Sequence, residues 1–140
     1  MPTLSEIQEA FSRDRFATEA AGIVITSAQP FHAVCEMELC PHHRNVRGTP
    51  MGGAIFTLAD FAAAVAANAF SERTDTITLH ADITFLSAAK GGKLIATASC
   101  VKQGHSTALY TVEITDELGT PVAHASVNGF VLQKFPKNEK

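Results

Sequence analysis

The stretch 53–70, GAIFTLADFAAAVAANAF, constrains what this chain can fold into more than any other segment. Wound into a helix, it is apolar on every side except one lane, where Thr57, Asp60, Ala64 and Asn68 follow at intervals of three or four. A helix that is apolar all round has to be buried. Eight of its residues are alanine, so its profile is thin and a sheet can wrap closely around it. The same alanines, with Asp60 in their midst, make it weak and costly as a membrane span. An aspartate inside such a helix must find hydrogen-bond partners or take up a proton.

The flanking sequence supplies the sheet. Thr3 with Glu6 three residues later is a capping-box signal, and Leu4, Ile7 and Phe11 recur at helical spacing. Phe16 to Ala21 reads as a continuation that Gly22 stops. Ile23 to Ile25 is β-branched, and Phe31, Ala33, Cys35, Met37 and Leu39 alternate with His32, Val34, Glu36 and Glu38, predicting a strand pair with one half-buried face. The segment 41–50, PHHRNVRGTP, has no period and reads as an ordered loop. Beyond the buried helix, strands are predicted over 76–86, 93–102, 107–115 and 122–134. In the first of them Ile77, Leu79, Ala81, Ile83 and Phe85 alternate with Thr76, Thr78, His80, Asp82 and Thr84. Turn chemistry at Gly91-Gly92, at Gln103 to Ser106 and at Asp116 to Gly119 favours antiparallel neighbours.

No alternating strand–helix–strand pattern and no internal repeat is present, so the expected class is α+β: an antiparallel sheet curled around one long central helix. With 140 residues, 46% of them hydrophobic, one domain over 1–140 is expected. A curled sheet covers such a helix on one side only. Its free flank and the sheet edges call for self-association.

Composition narrows the partners. Eleven Lys and Arg against fourteen Asp and Glu give a net charge of −3, and the basic residues are scattered, which argues against nucleic acid and membrane surfaces. Met1 to Arg15 lacks the pattern of a secretion signal, so a cytoplasmic location is expected. Cys35, Cys40 and Cys100 form no CxxC pair and read as small hydrophobes. Cys40, His42 and His43 lack a second ligand pair, so no metal is expected.

The run His43-Arg44-Asn45-Val46-Arg47-Gly48-Thr49-Pro50-Met51-Gly52-Gly53-Ala54-Ile55-Phe56-Thr57-Leu58-Ala59-Asp60 resembles the signature of the phenylacetate-pathway-type hot-dog acyl-CoA thioesterases, His-x-Asn-x-x-Gly-x-x-His-Gly-Gly followed by Leu-Ala-Asp. Asp82 to Ala89 resembles the family's second-strand motif, and Gln103 to Ser106 with Asp116 to Gly119 its hairpin. The resemblance spans about Cys40 to Val131. It implies a hot-dog fold, a homodimer or a dimer of dimers, an acyl-CoA substrate, and no cofactor beyond the CoA carried by the substrate.

The resemblance makes Asp60 the catalytic residue, either as nucleophile on the thioester carbonyl or as general base on a water. Gly52 and Gly53 stand where loop becomes helix, so their amides are placed to hold an oxyanion; the alternative is a tight turn into a crowded helix. Asn45 matches the family's loop asparagine, and Thr78 a hydroxyl position that helps place water. Met51, Asn45 and Gly53 are the expected substrate contacts. Met51 is a departure, because the family pattern has histidine there and methionine cannot donate a strong hydrogen bond. Gly52 and Asp60 lie eight residues apart, roughly 12 Å of helix rise, too far to act on one carbonyl from the same chain. The working pair is therefore expected across a dimer interface. Fold alone leaves two other readings open: an acyl-CoA-binding module without turnover, and a dehydratase or hydratase, which normally pairs an acid with a histidine.

Overall fold

A computed structural model describes residues 1–134; the last six positions of the expected 1–140 domain lie outside the described residues. Helix α1 spans Leu4–Phe11, strands β1 and β2 span Ile23–Gln29 and His32–Glu38, and helix α2 spans Gly52–Asn68. Strands β3 to β6 follow over Thr74–Phe85, Lys93–Gln103, Thr107–Asp116 and Pro121–Gln133. All pairings are antiparallel, and the six strands form one sheet in the order β1-β2-β4-β5-β6-β3. This is the expected α+β hot-dog arrangement.

Helix α2 packs on the inner face of the sheet, where Leu58, Ala62 and Val65 are fully buried with Ala33, Cys35, Met37, Leu94, Ala96, Ala98 and Val112. A large aliphatic side chain buried in this way contributes about 2 kcal/mol. Thr57, Asp60, Ala64 and Asn68 are half-buried, so the lane read from the sequence is the flank of the helix that the sheet covers least. Burial pushes the Cys35 thiol up to about 12, which leaves it unreactive. Helix α1 is capped as expected, with the Glu6 amide donating to Thr3 Oγ1 at 3.2 Å. It lays Ile7 and Phe11 over the core, and Phe11 meets Phe61 edge-to-face at 5.9 Å. Phe16–Ala20 forms a separate wide helical turn, ended by Gly22 at φ 73°.

Strand β3 departs from the alternation read in the sequence. Thr78 pairs with Gly129 and His80 with Asn128, so Leu79 is an extra residue, a β-bulge. The extra residue reverses the parity of the strand. Before it Thr76 and Thr78 face the helix; after it Ala81 and Ile83 pack on the core, while Ile77 and Leu79 are 48% and 61% exposed.

The turn after β5 is knitted to the segment leading into β4. Asp116 is 1% exposed, and its carboxylate accepts the amides of Lys90 and Gly91 at 2.8 and 3.0 Å and of Leu118 and Thr120 at 3.0 and 2.8 Å. Burial alone would raise its pKa, but these backbone hydrogen bonds outweigh that and hold the carboxyl well below the usual carboxylate range. A group with a depressed folded-state pKa stabilises the fold fully above its unfolded value near 3.9 and progressively less as pH falls. Asp116→Asn, which turns an amide toward two donors, is therefore expected to lower the thermal midpoint by a constant margin between about pH 8 and 5. The margin should shrink below about pH 4. Thermal unfolding across that range checks it; a margin unchanged at the acid end would contradict it.

Candidate active site

The loop before α2 is built by its own side chains. Asn45 Oδ1 accepts the amides of Arg47 and Thr49 at 3.0 and 3.2 Å and the Thr49 hydroxyl at 3.2 Å, and the Asn45 amide donates to the Thr49 carbonyl at 2.9 Å. This ties a turn that Gly48 completes at φ 78°. Behind it, His43 is buried. Its Nδ1 accepts the Cys40 amide at 3.1 Å, which places the proton on Nε2, and Nε2–H donates to the Ala21 carbonyl at 2.7 Å. The ring thus pins the loop to the turn that follows α1. Among the described residues no three His, Cys, Asp or Glu side chains converge as a metal site.

Met51 is the N-cap, extended at φ −67° and ψ 140°, half-exposed and without a capping side-chain bond. Its carbonyl takes the amides of both Ala54 and Ile55, at 3.0 and 3.1 Å. The amides of Gly52 and Gly53 have no acceptor among the described residues, so the positive end of α2 presents two free donors. Gly52 is also a close-approach position, since a Cβ there would lie 3.1 Å from the ring tip of Phe85. Asn45, Gly52, Ile55, Phe85 and Ser87 line a groove of about 370 Å³. Ala88 and Ala89, next to the Lys90 and Gly91 amides that Asp116 holds, also line it.

Two turns along α2 lies the carboxylate. Thr78 Oγ1 donates to Asp60 Oδ1 at 2.8 Å, while Oδ2 has no partner among the described residues. The aspartate in the apolar helix has found its partner in the bulged strand. The structure therefore gathers the candidate residues into two groups. Asn45, Met51, Gly52 and Gly53 sit at the start of α2, and Asp60 with Thr78 sit at its middle against β3. Sequence reasoning took Phe85 as a strand residue and 86–89 as part of the second-strand motif without placing them at the groove, and named Asn68 without its link to β3.

Comparison with known proteins places this arrangement. Residues 47–123 match the family model described as the thioesterase superfamily. Acyl-coenzyme A thioesterase 13 of Homo sapiens is 31% identical over 117 residues, 82% of this chain and 84% of that one. The Escherichia coli PaaI protein from the phenylacetic acid degradation operon superposes with a TM-score of 0.77 at 28% identity, over 91% of this chain and 95% of that one. A Streptococcus mutans protein solved bound to acetyl CoA gives a TM-score of 0.73 at 30% identity, over 81% of this chain and 91% of that one. With its buried helix, its curled six-stranded sheet and these relatives, the chain belongs to the thioesterase superfamily and is a thioester hydrolase of the hot-dog, PaaI type.

Proposed function

We propose that the chain hydrolyses small or aromatic acyl-CoA thioesters, with Asp60 as general base and the free amides of Gly52 and Gly53 from a second copy of the chain as the oxyanion hole. The observation that carries this reading is the Asp60–Thr78 hydrogen bond. The Thr78 hydroxyl donates its hydrogen bond to Oδ1, which leaves its own lone pairs and Oδ2 free to accept from water. A water donating one hydrogen to each would be held against the carboxylate that takes its proton, which favours base over nucleophile. Asp60 takes a proton from that water as its oxygen bonds the carbonyl carbon. The tetrahedral oxyanion rests on the glycine amides. The C–S bond then breaks, and the thiolate leaves with the proton that Asp60 received, yielding free acid and CoA.

Spacing supports a shared site. Gly52 and Asp60 of one chain stand roughly 12 Å apart along α2, whereas both must lie close to one carbonyl group. The exposed apolar residues Ile77, Leu79 and Phe85 on the edge strand β3 suit a second copy packed beside it. The relative solved with acetyl CoA supports the choice of CoA as the thiol. Met51, in place of the family's histidine, favours a second reading in which acyl-CoA is bound and not turned over. A thiol-release assay over acetyl-, hexanoyl-, phenylacetyl- and palmitoyl-CoA separates the two. Turnover of the short and aromatic members above that of the palmitoyl ester is expected; tight binding with no release of thiol from any member would establish the second reading.

A further inference from the structure

The polar lane of α2 ends in a second link to β3. Asn68 Nδ2 donates to the Thr76 carbonyl at 3.0 Å, and Asn68 Oδ1 accepts the Thr76 amide at 2.8 Å. The side-chain amide thus takes both pairing groups of one strand residue, as a neighbouring strand would. Thr78 lies two positions on, so Thr76 and Thr78 face the same side of the strand.

The ladder to β6 is regular from Thr74 to Thr78, and several features add weight to this upstream anchor in setting the position of Thr78. Among the described residues β3 is paired only with β6, and at Thr76 its other side is taken by Asn68. Immediately after Thr78 the bulge breaks the register, so the regular ladder downstream does not fix it. Opposite Thr78 stands Gly129, which has no side chain to brace it. The Thr76 methyl fills that space instead, and a Cβ on Gly129 would lie 2.4 Å from it. On the other side, the connection from α2 is closed by Ser71, whose Oγ donates to the Thr74 carbonyl at 2.7 Å. The stretch from Thr74 to Thr78 is thereby hung from the end of the helix.

We infer that Asn68 is a positioning residue for the hydrolysis: by clamping the main chain of Thr76, it sets β3 at the height on α2 where the Thr78 hydroxyl reaches Asp60. The inference rests on the reading of Asp60 and Thr78 as the seat of the attacking water. Asn68 bonds the main chain of Thr76 and acts through Thr78.

The test is a double-mutant cycle of Asn68→Ala and Thr78→Ala, read in kcat, in KM and in hydrogen exchange of the Thr76 amide. Asn68→Ala should speed Thr76 exchange and lower kcat about 10- to 100-fold with KM within about twofold, the cost expected of a displaced reacting group. In the Thr78→Ala background the same change should lower kcat by less than about twofold, because the hydroxyl it positions is already gone. Multiplicative losses, or a KM that rises while kcat holds, would overturn the inference and leave Asp60 and Thr78 in place. Thr76 exchange unchanged by Asn68→Ala would overturn the clamp itself. A wild-type protein that releases no thiol would instead defeat the proposed function, and exchange at Thr76 and Thr78 still decides whether Asn68 places the strand.

Discussion

Asp60→Asn is expected to lower kcat on a thioester that the wild type turns over by about 1,000-fold while leaving KM within about threefold, within the range for removal of a positioned general base. The substitution is nearly isosteric. The introduced side-chain amide, with its oxygen toward β3, still accepts the Thr78 hydroxyl, so the bond that now measures 2.8 Å has no reason to break. What disappears is the second carboxylate oxygen and its capacity to take a proton from water. Steady-state thiol release, with circular dichroism to show an unchanged fold, makes the measurement. A variant within tenfold of wild type would remove Asp60 from the chemistry, whatever its contacts.

The second large effect concerns where the site is assembled. Gly52→Pro deletes one of the two free amides at a position whose backbone accepts proline, with the Phe85 ring, 3.1 Å from the new Cβ, having to shift aside. Gly52 is the first residue of α2, its amide bonds nothing in the helix, and Met51 before it is already extended at ψ 140°. Alone, the change should lower kcat about 100-fold. Mixed with Asp60→Asn protein under conditions that exchange subunits, two nearly inactive variants should recover about a quarter of wild-type activity. Half of the dimers are then mixed, and each mixed dimer keeps one site with both an intact Asp60 and an intact Gly52. Sites built within single chains would recover nothing, and that result would overturn the shared-site reading.

Much of the architecture was legible in the sequence because burial is periodic. The helix expected over 53–70 is Gly52–Asn68, and the strands expected from 76, 93, 107 and 122 begin at Thr74, Lys93, Thr107 and Pro121. The bulge in β3 was not legible, because Ile77, Leu79, Ala81 and Ile83 carry an unbroken alternation and an inserted residue has no period of its own. The contact between Asp60 and Thr78 joins two residues that the family resemblance had already picked out. The bonds of His43, Asn68 and Asp116 escaped for one shared reason: each is made to main-chain groups, at Cys40 and Ala21, at Thr76, and at Lys90, Gly91, Leu118 and Thr120. A backbone partner leaves no mark in the sequence, because every residue except proline offers the same donor and acceptor.

The bulge at Leu79 gives β3 two independent alphabets on one face. Upstream, the inward positions are threonines that meet the polar lane of α2; downstream they are Ala81 and Ile83, set against the core. Without the extra residue, the phase that turns Ala81 and Ile83 inward would turn Ile77 and Leu79 inward as well, and a chemical group could enter only at the expense of a packing one. With it, the hydroxyl at position 78 can be exchanged for another small polar group while the hydrophobic ladder below stays untouched. One strand in this scaffold can thus diversify in chemistry and remain conservative in architecture, with a single residue as the joint between the two histories.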